Sequence, residues 1–341
     1  MRPILLEANQ PHRFYRGGPA IARFRGTGPG DEHAPEDWVG SATTIFGDER
    51  QGLSALPDGR VLRDAIAADP EAFLGAAHAE RYGPDPALLV KLLDAGERLP
   101  VHCHPSRAFS RRHLDCPFGK TEAWVIVEAK GERPLVHLGF RVDVEATTLA
   151  RWVERQETTT LLGALHALDV RPGEAVLVPA GVPHAIGEGV FVVELQEPTD
   201  FSVLLEWDGF AVDGHADGHL GIGYDLALSC VDRSGFGEEA LARLRRRADE
   251  AREVRQGVWS VLVADADPYF RAERLLPRPS ATLEPAFSIL VVLEGKGLLE
   301  TEYGGELTLA RGATVLVPYA SGPGRISGKV EAIRCLPPAT D

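Results

Sequence analysis

His102 and His104 lie two residues apart, with Cys103 between them. On a strand alternate side chains share a face, so both imidazoles point into one space and Cys103 points away. A divalent ion needs ligands that converge at roughly 2.0–2.2 Å, and such a pair supplies two of them. Glu122 opens the apolar run Glu122-Ala123-Trp124-Val125-Ile126-Val127, and His184 follows the turn Pro179-Ala180-Gly181-Val182-Pro183, which can aim it back into a barrel mouth. Three imidazoles and one carboxylate suit zinc (Zn²⁺), and also manganese, iron, cobalt or nickel. Taken alone, the H-x-H pair reads as two histidines near a surface turn. The spacing around it changes that reading: Gly96 sits six positions before His102, and Gly173, Pro179, Gly181 and His184 follow G-x5-P-x-G-x2-H.

Ligands drawn from positions this far apart need a framework of many strands. Residues 1–60 are rich in Gly, Pro and Asp and read as loops and short strands. Residues 61–78 carry Val61, Leu62, Ala65, Ile66, Phe73 and Leu74 near helical spacing. Leu88–Leu93, Glu122–Val127, Pro134–Leu138, Glu174–Val178 and Val190–Leu195 read as strands. Residues 143–168 read as two short helices capped by Asp143 and Thr158, Leu226–Asp232 as helical, and Glu238–Arg255 as a charged helix with a solvated face. Strands resume at Trp259–Val263, Phe287–Leu293 and Thr314–Val317. Arg171-Pro172-Gly173-Glu174-Ala175-Val176-Leu177-Val178-Pro179 is echoed by Ala310-Arg311-Gly312-Ala313-Thr314-Val315-Leu316-Val317-Pro318. Two copies of one unit predict two related barrels of the jelly-roll type. The first copy continues to His184, whereas the second continues Ala320-Ser321-Gly322-Pro323 without a histidine. On that pattern only the first barrel holds a metal.

The glycine, proline and histidine spacings match both halves of the cupin signature, except that Glu122 lies well beyond the usual short gap after the second histidine. That departure resembles the type I mannose-6-phosphate isomerases. The resemblance rests on Leu89-Val90-Lys91-Leu92-Leu93-Asp94-Ala95, Val101-His102-Cys103-His104-Pro105, Gly119-Lys120-Thr121-Glu122-Ala123-Trp124, Val178–Ile186 and Val193-Glu194-Leu195-Gln196. Arg16-Gly17-Gly18 and Pro35-Glu36-Asp37-Trp38 are weaker echoes of the family's WGG and GExW segments. It implies a mainly β, double-cupin fold, two jelly-roll β-barrels with helical insertions. Residues 1–255 would form the metal-binding cupin domain and 256–341 a degenerate cupin without ligands. It also implies a metal-dependent aldose–ketose isomerase, mannose 6-phosphate to fructose 6-phosphate being the nearest precedent. The metal, zinc in the family, would be held by His102, His104, Glu122 and His184, with His102 replacing the family's usual Gln. Lys120 and Glu194 match polar positions near that metal and are the catalytic candidates. Against these stand a loop lysine in solvent and a polar residue at a strand end. His137 reads as a packed strand histidine, and His215 and His219 as exposed loop residues.

Two departures bear on the substrate. The family continues S-D-x-x-x-R after its Glu-Leu-Gln stretch, and that arginine is tied to catalysis or phosphate handling; here Thr199-Asp200-Phe201-Ser202-Val203-Leu204 ends in leucine, which cannot pair with an anion. The family's Ser two residues before the first ligand is Pro100. Three outcomes stay open: Lys91, Arg107, Arg111 or Arg112 binds the phosphate instead; the sugar is different or unphosphorylated; or the protein is a non-catalytic sugar-binding cupin. A cupin dioxygenase with Fe(II) is a further class that the same ligands allow.

Composition narrows the field. The 341 residues are 44% hydrophobic and 25% charged, ordinary for a soluble globular protein. A net charge of −14 disfavours nucleic acid as a partner, though not a small phosphorylated substrate. The start Met1-Arg2-Pro3-Ile4-Leu5-Leu6-Glu7 reaches a charge before a signal-length apolar run, and no stretch approaches a membrane span. Cys103, Cys116, Cys230 and Cys335 form no C-x-x-C pair, so reduced thiols in a cytoplasmic protein are expected. The oligomeric state is not legible.

Overall fold

The structure is a computed structural model describing residues 1–340; Asp341, the last residue of the expected second domain, lies outside the described residues. It is mainly β and forms the expected double cupin. The first barrel pairs a six-stranded sheet with a five-stranded one. The six-stranded sheet runs in the order Arg245–Arg246, Ala175–Val178, Glu122–Ala129, Val190–Gln196, Leu89–Asp94, Glu36–Val39. The five-stranded sheet runs Val203–Leu204, His102–Cys103, His184–Ile186, Leu135–Phe140, Leu165–Asp169. The path of the larger, nine-stranded sheet runs Ile4–Leu6, Thr314–Val317, Ser288–Thr301, Gly324–Leu336, Arg271–Leu275, Val258–Ser260, Arg252–Arg255.

Alternation along these strands builds separate cores. Leu290, Val292, Val315, Val317 and Ala332 fill the second barrel, while Ile289, Val291, Leu316, Ile333 and Cys335 turn outward into a core shared with the first. The helices Ala146–Glu154 and Thr158–Ala164 cover the outer face of the five-stranded sheet, packing Leu149, Val153 and Leu161 with Val101, Cys103 and Ala185.

The repeat seen in the sequence is a repeat of register. In the first barrel Glu122 lies opposite Val178, Glu194 opposite Trp124, and Lys91 opposite Glu194. In the second, Ser288 lies opposite Val317, Arg334 opposite Leu290, and Glu273 opposite Arg334. The positions of Glu122, Glu194 and Lys91 are therefore taken by Ser288, Arg334 and Glu273.

Several local expectations are corrected. The helical region from 61 is three short helices, Leu62–Ala68, Pro70–Leu74 and Ala76–Tyr82. Pro70 cannot continue a helix but starts the next one, where Asp69 accepts from the Ala72 N–H. The loop-rich start contains a helix, Pro19–Arg25, with Pro at its first turn and Gly26 closing it in the left-handed region. Asp143 and Thr158 are not the caps; Glu145 and Glu157 occupy those positions, and Asp143 accepts from the Gly235 N–H instead. The charged helix from Glu238 ends at Arg243. Arg245 and Arg246 then pair with Val176 and Ala175, because the open sheet edge satisfies their backbone groups. Arg252–Arg255 is likewise a strand.

The Arg16-Gly17-Gly18 segment has a steric basis. A Cβ on Gly17 would lie 1.9 Å from the Asp94 carbonyl oxygen, and Gly18 has a φ of 110°. The Asp94 carboxylate accepts from the Gly18 and Ala20 N–H groups at 2.8 and 2.7 Å, locking the segment to the end of Leu89–Asp94. Gly17→Ala is expected to cost roughly 1–3 kcal/mol through overpacking, read as a lower urea midpoint with unchanged m-value.

Candidate metal centre

The three histidines come from one patch of the five-stranded sheet. His102 lies directly opposite His184 across one ladder and opposite Leu204 across the other. His104 follows two residues on, and its carbonyl accepts from the Gly181 N–H at 2.6 Å, which joins the pair to the turn before His184. Cys103 points the other way, as alternation requires, into the core beneath the helices. The ring centroids stand 4.3–4.9 Å apart.

Each ring is oriented by a backbone carbonyl. The Nδ1 atoms of His102, His104 and His184 meet the carbonyls of Pro100, Phe201 and Val182 at 2.8, 2.7 and 2.8 Å. A carbonyl only accepts, so each Nδ1 carries the proton and each neutral ring keeps its Nε2 lone pair. The Nε2 atoms of His104 and His184 are buried without a hydrogen-bond partner. Burial and then the neighbouring Lys120 charge lower the His104 pKa to about 3, so that imidazole is neutral at ordinary pH. Buried lone pairs with no donor are what a cation site requires, and one ligand atom from each of the three histidines lies within 4.8 Å of the others. Together they could hold a metal ion.

Glu122 stands beside them. Its carboxylate oxygens lie 3.0 Å from His104 Nε2 and 3.3 Å from His184 Nε2, and one accepts from Trp124 Nε1 at 3.0 Å. Burial works to raise this carboxyl, but the adjoining His104 and His184 rings and the Lys120 ammonium outweigh it and hold it well below the usual range.

Lys120 and Glu194 line the same pocket and are both buried, so Lys120 is not a solvated loop lysine, and Glu194, near the end of the strand Val190–Gln196, faces the pocket. Lys120 Nζ is 3.7 Å from Glu122. Its backbone is held by Glu197, which accepts from the Gly119 and Thr121 N–H groups at 3.3 and 2.9 Å and from Arg107 Nε at 2.5 Å. A Cβ on Gly119 would meet Arg107 N at 2.6 Å, so only glycine fits there. Glu194 is raised to about 8 by burial and by the nearby Glu122 charge.

These observations sit within a longer similarity. No family model matches the chain. Mannose-6-phosphate isomerase ManA of Bacillus subtilis (strain 168) is 26% identical over 327 residues, covering 93% of this chain and 93% of that protein. The chain is thus similar to a mannose-6-phosphate isomerase along nearly its whole length. A crystal structure of the mannose 6-phosphate isomerase from Bacillus subtilis shares the fold with a TM-score of 0.76 at 23% identity, over 98% of this chain and 99% of that one. A mannose 6-phosphate isomerase structure bound with zinc and yttrium shares it with a TM-score of 0.73 at 15% identity, over 99% and 100%.

Against the mannose-6-phosphate isomerase pattern, Leu204 and Pro100 both line the pocket. Pro100 loses a side-chain donor but keeps the carbonyl that orients His102. Of the four alternative basic residues, only Lys91 lines the pocket. Arg107 is spent on Glu197, and Arg111 and Arg112 lie exposed on the helix Arg107–His113 rather than in a loop. His137 is a half-buried strand residue away from the site, and His215 is exposed on a short helix, Gly214–Asp217, with His219 half-buried just beyond it.

The sequence reading missed Arg13 and Tyr15 and did not weigh Glu36 or Asp200. Arg13 lies 3.2 Å from Asp200 and 3.6 Å from Glu36. Lys91 Nζ lies 3.3 Å from Glu36, 3.8 Å from Glu194 and 3.9 Å from Asp200. Glu36 stood in the GExW-like echo, but nothing around Arg13 marked it. The enclosed space over the histidines is about 50 Å³. It shares Arg13, Phe14, Ser202 and Leu204 with a wider cleft of about 920 Å³. Metal analysis gives the direct check: the purified protein is expected to hold one divalent ion per chain and His104→Ala far less, with far-UV circular dichroism unchanged. Full metal content in His104→Ala would remove the assignment.

Proposed function

We propose that the protein is a metal-dependent aldose–ketose isomerase of a sugar phosphate, with mannose 6-phosphate to fructose 6-phosphate as the reaction and zinc as the ion. His102, His104, Glu122 and His184 are its ligands in this reading, and Lys120 and Glu194 its catalytic residues. The observation that carries it is the meeting of three carbonyl-oriented imidazoles and Glu122 with a buried lysine and a high-pKa carboxyl in one pocket. Residues 1–255 form the metal-binding domain and residues from 256 onward the degenerate cupin in this reading, apart from Ile4–Leu6 and Arg252–Arg255, which pair into the second barrel's sheet. No helix among the described residues is long and apolar enough to cross a membrane, and a cytoplasmic location suits a sugar-phosphate enzyme.

A bound divalent cation supplies Lewis acidity to the carbonyl and adjacent hydroxyl of an open-chain sugar. Glu194, with a pKa of about 8 before the cation is added, can take a proton from one carbon and return it to the next. Lys120, lowered by burial and by Lys91, faces the same space and can donate to negative charge developing on the sugar oxygen. Lys91 and Arg13 hold the surrounding carboxylates in place.

One observation favours a second reading, isomerisation of a different or unphosphorylated sugar. Leucine stands at the arginine position, and both Arg13 and Lys91 are already paired with Glu36 and Asp200.

A coupled assay on zinc-loaded protein tests the main reading. Chelator-sensitive turnover of mannose 6-phosphate is expected; none, with metal bound, would leave the second reading, which free sugars would then test. Glu194→Gln should lower kcat by about 10²–10⁴. If Glu194 is the base, kcat/KM rises with pH as its carboxyl loses a proton, and the cation moves that rise below the cation-free value of about 8. A profile left unchanged by E194Q would remove it from the chemistry. Leu204→Arg should raise mannose 6-phosphate turnover if the lost arginine altered substrate choice.

A further inference from the structure

The second barrel has its own polar interior at the positions that form the metal pocket in the first. Arg334, Glu273 and Ser288 stand where Glu194, Lys91 and Glu122 stand, so the charges of the first two positions are reversed. Arg334 is 2% exposed, beside the aliphatic core of this barrel. Its Nε donates to Ser288 Oγ at 3.1 Å, Nη1 to Glu273 at 3.4 Å and Nη2 to the Glu284 carbonyl at 2.6 Å.

Arg334 and Glu273 line a cavity of about 500 Å³ at the mouth of this barrel, together with Arg255 and Arg271, and residues 74–78 and 337–340 form its other walls. Arg255 donates to Glu273 at 2.6 Å through Nη2, but its Nε is buried without an acceptor. Arg271 Nε reaches only a backbone oxygen, that of Pro337, at 3.2 Å. Glu273 is thus shared by two guanidiniums, and the other carboxylate that lines the cavity among the described residues, Glu284, is exposed. Burial lowers the Arg334 pKa, Glu273 opposes that, and Arg255 and Arg271 push it down further. Among the described residues that line the cavity, three arginines face two carboxylates, in a chain whose net charge is −14.

We propose that the second-barrel cavity is an anion site for a phosphate monoester, anchored by Arg334, with Arg255 and Arg271 supplying the remaining donors. Guanidiniums suit this ligand because their paired N–H groups match tetrahedral oxyanions, and low surrounding polarity strengthens each bond. The site is independent of the metal centre and of the isomerase reading.

The test is calorimetric titration of the full-length, metal-stripped protein at low ionic strength, first with inorganic phosphate and then with mannose 6-phosphate. Arg255→Gln and Arg271→Gln are the informative variants, because both side chains are partly exposed and their loss leaves the barrel packing intact. Arg133→Gln, at an exposed ion pair with Asp169, controls for unspecific charge effects. Saturable binding is expected in the parent and in Arg133→Gln, weakened by about tenfold for each charge-assisted hydrogen bond lost in the other two. Binding of the ester but not of free phosphate supports a site that also reads the sugar. Absence of saturable binding by either probe, or binding left unchanged by Arg255→Gln and Arg271→Gln, would overturn the proposal.

Discussion

The candidate metal centre depends on three hydrogen bonds that involve no metal at all. The carbonyls of Pro100, Phe201 and Val182 each take the Nδ1 proton of one imidazole, and this turns the three Nε2 atoms toward a common point. Backbone carbonyls fixed by sheet and turn cannot swing away, so the lone pairs stay aimed before any cation arrives. Placing unpaired lone pairs in a buried site opposes folding unless something fills them. The surrounding cores supply the compensation: the shared core between the barrels on one side and the helix-covered core under Cys103 on the other.

Around that point charge is arranged in alternating order. Lys120 touches Glu122, and Lys91 is shared by Glu36, Glu194 and Asp200. Such a network is stable only when each member is matched. It explains why one carboxyl is held low and another raised within one pocket: Glu122 faces cations and imidazoles, while Glu194 is opposed by Glu122 itself. The separation of two carboxyl groups into different protonation tendencies is a pattern that acid–base chemistry uses.

Much of this was legible because it is written in spacing. Alternation in His102-Cys103-His104, the turn before His184 and the matched Gly173–Pro179 and Gly312–Pro318 segments are local features with direct geometric meaning. What escaped was long-range. Arg13 enters the pocket through the fold's closure, and its partners Glu36 and Asp200 lie 23 and 187 residues away along the chain. Arg107 read as a free cation because Glu197, its partner, is 90 residues distant. The stretch Arg245–Arg255 has helical composition, yet an available sheet edge outweighs propensity when it satisfies the backbone.

The strand Ile4–Leu6 finds its ladder partner in Thr314–Val317, and the Met1 nitrogen donates to the Ala320 carbonyl at 2.9 Å. Ile4–Leu6 must therefore wait for Thr314–Val317 to be made before its backbone groups are paired. Closing so long a loop comes late and slowly in folding. The candidate metal ligands, by contrast, all lie between residues 102 and 184 and are available earlier. The first barrel's candidate metal pocket can thus assemble while the second is still unmade, and loss of Thr314–Val317 would leave Ile4–Leu6, more than 300 residues away, without its ladder.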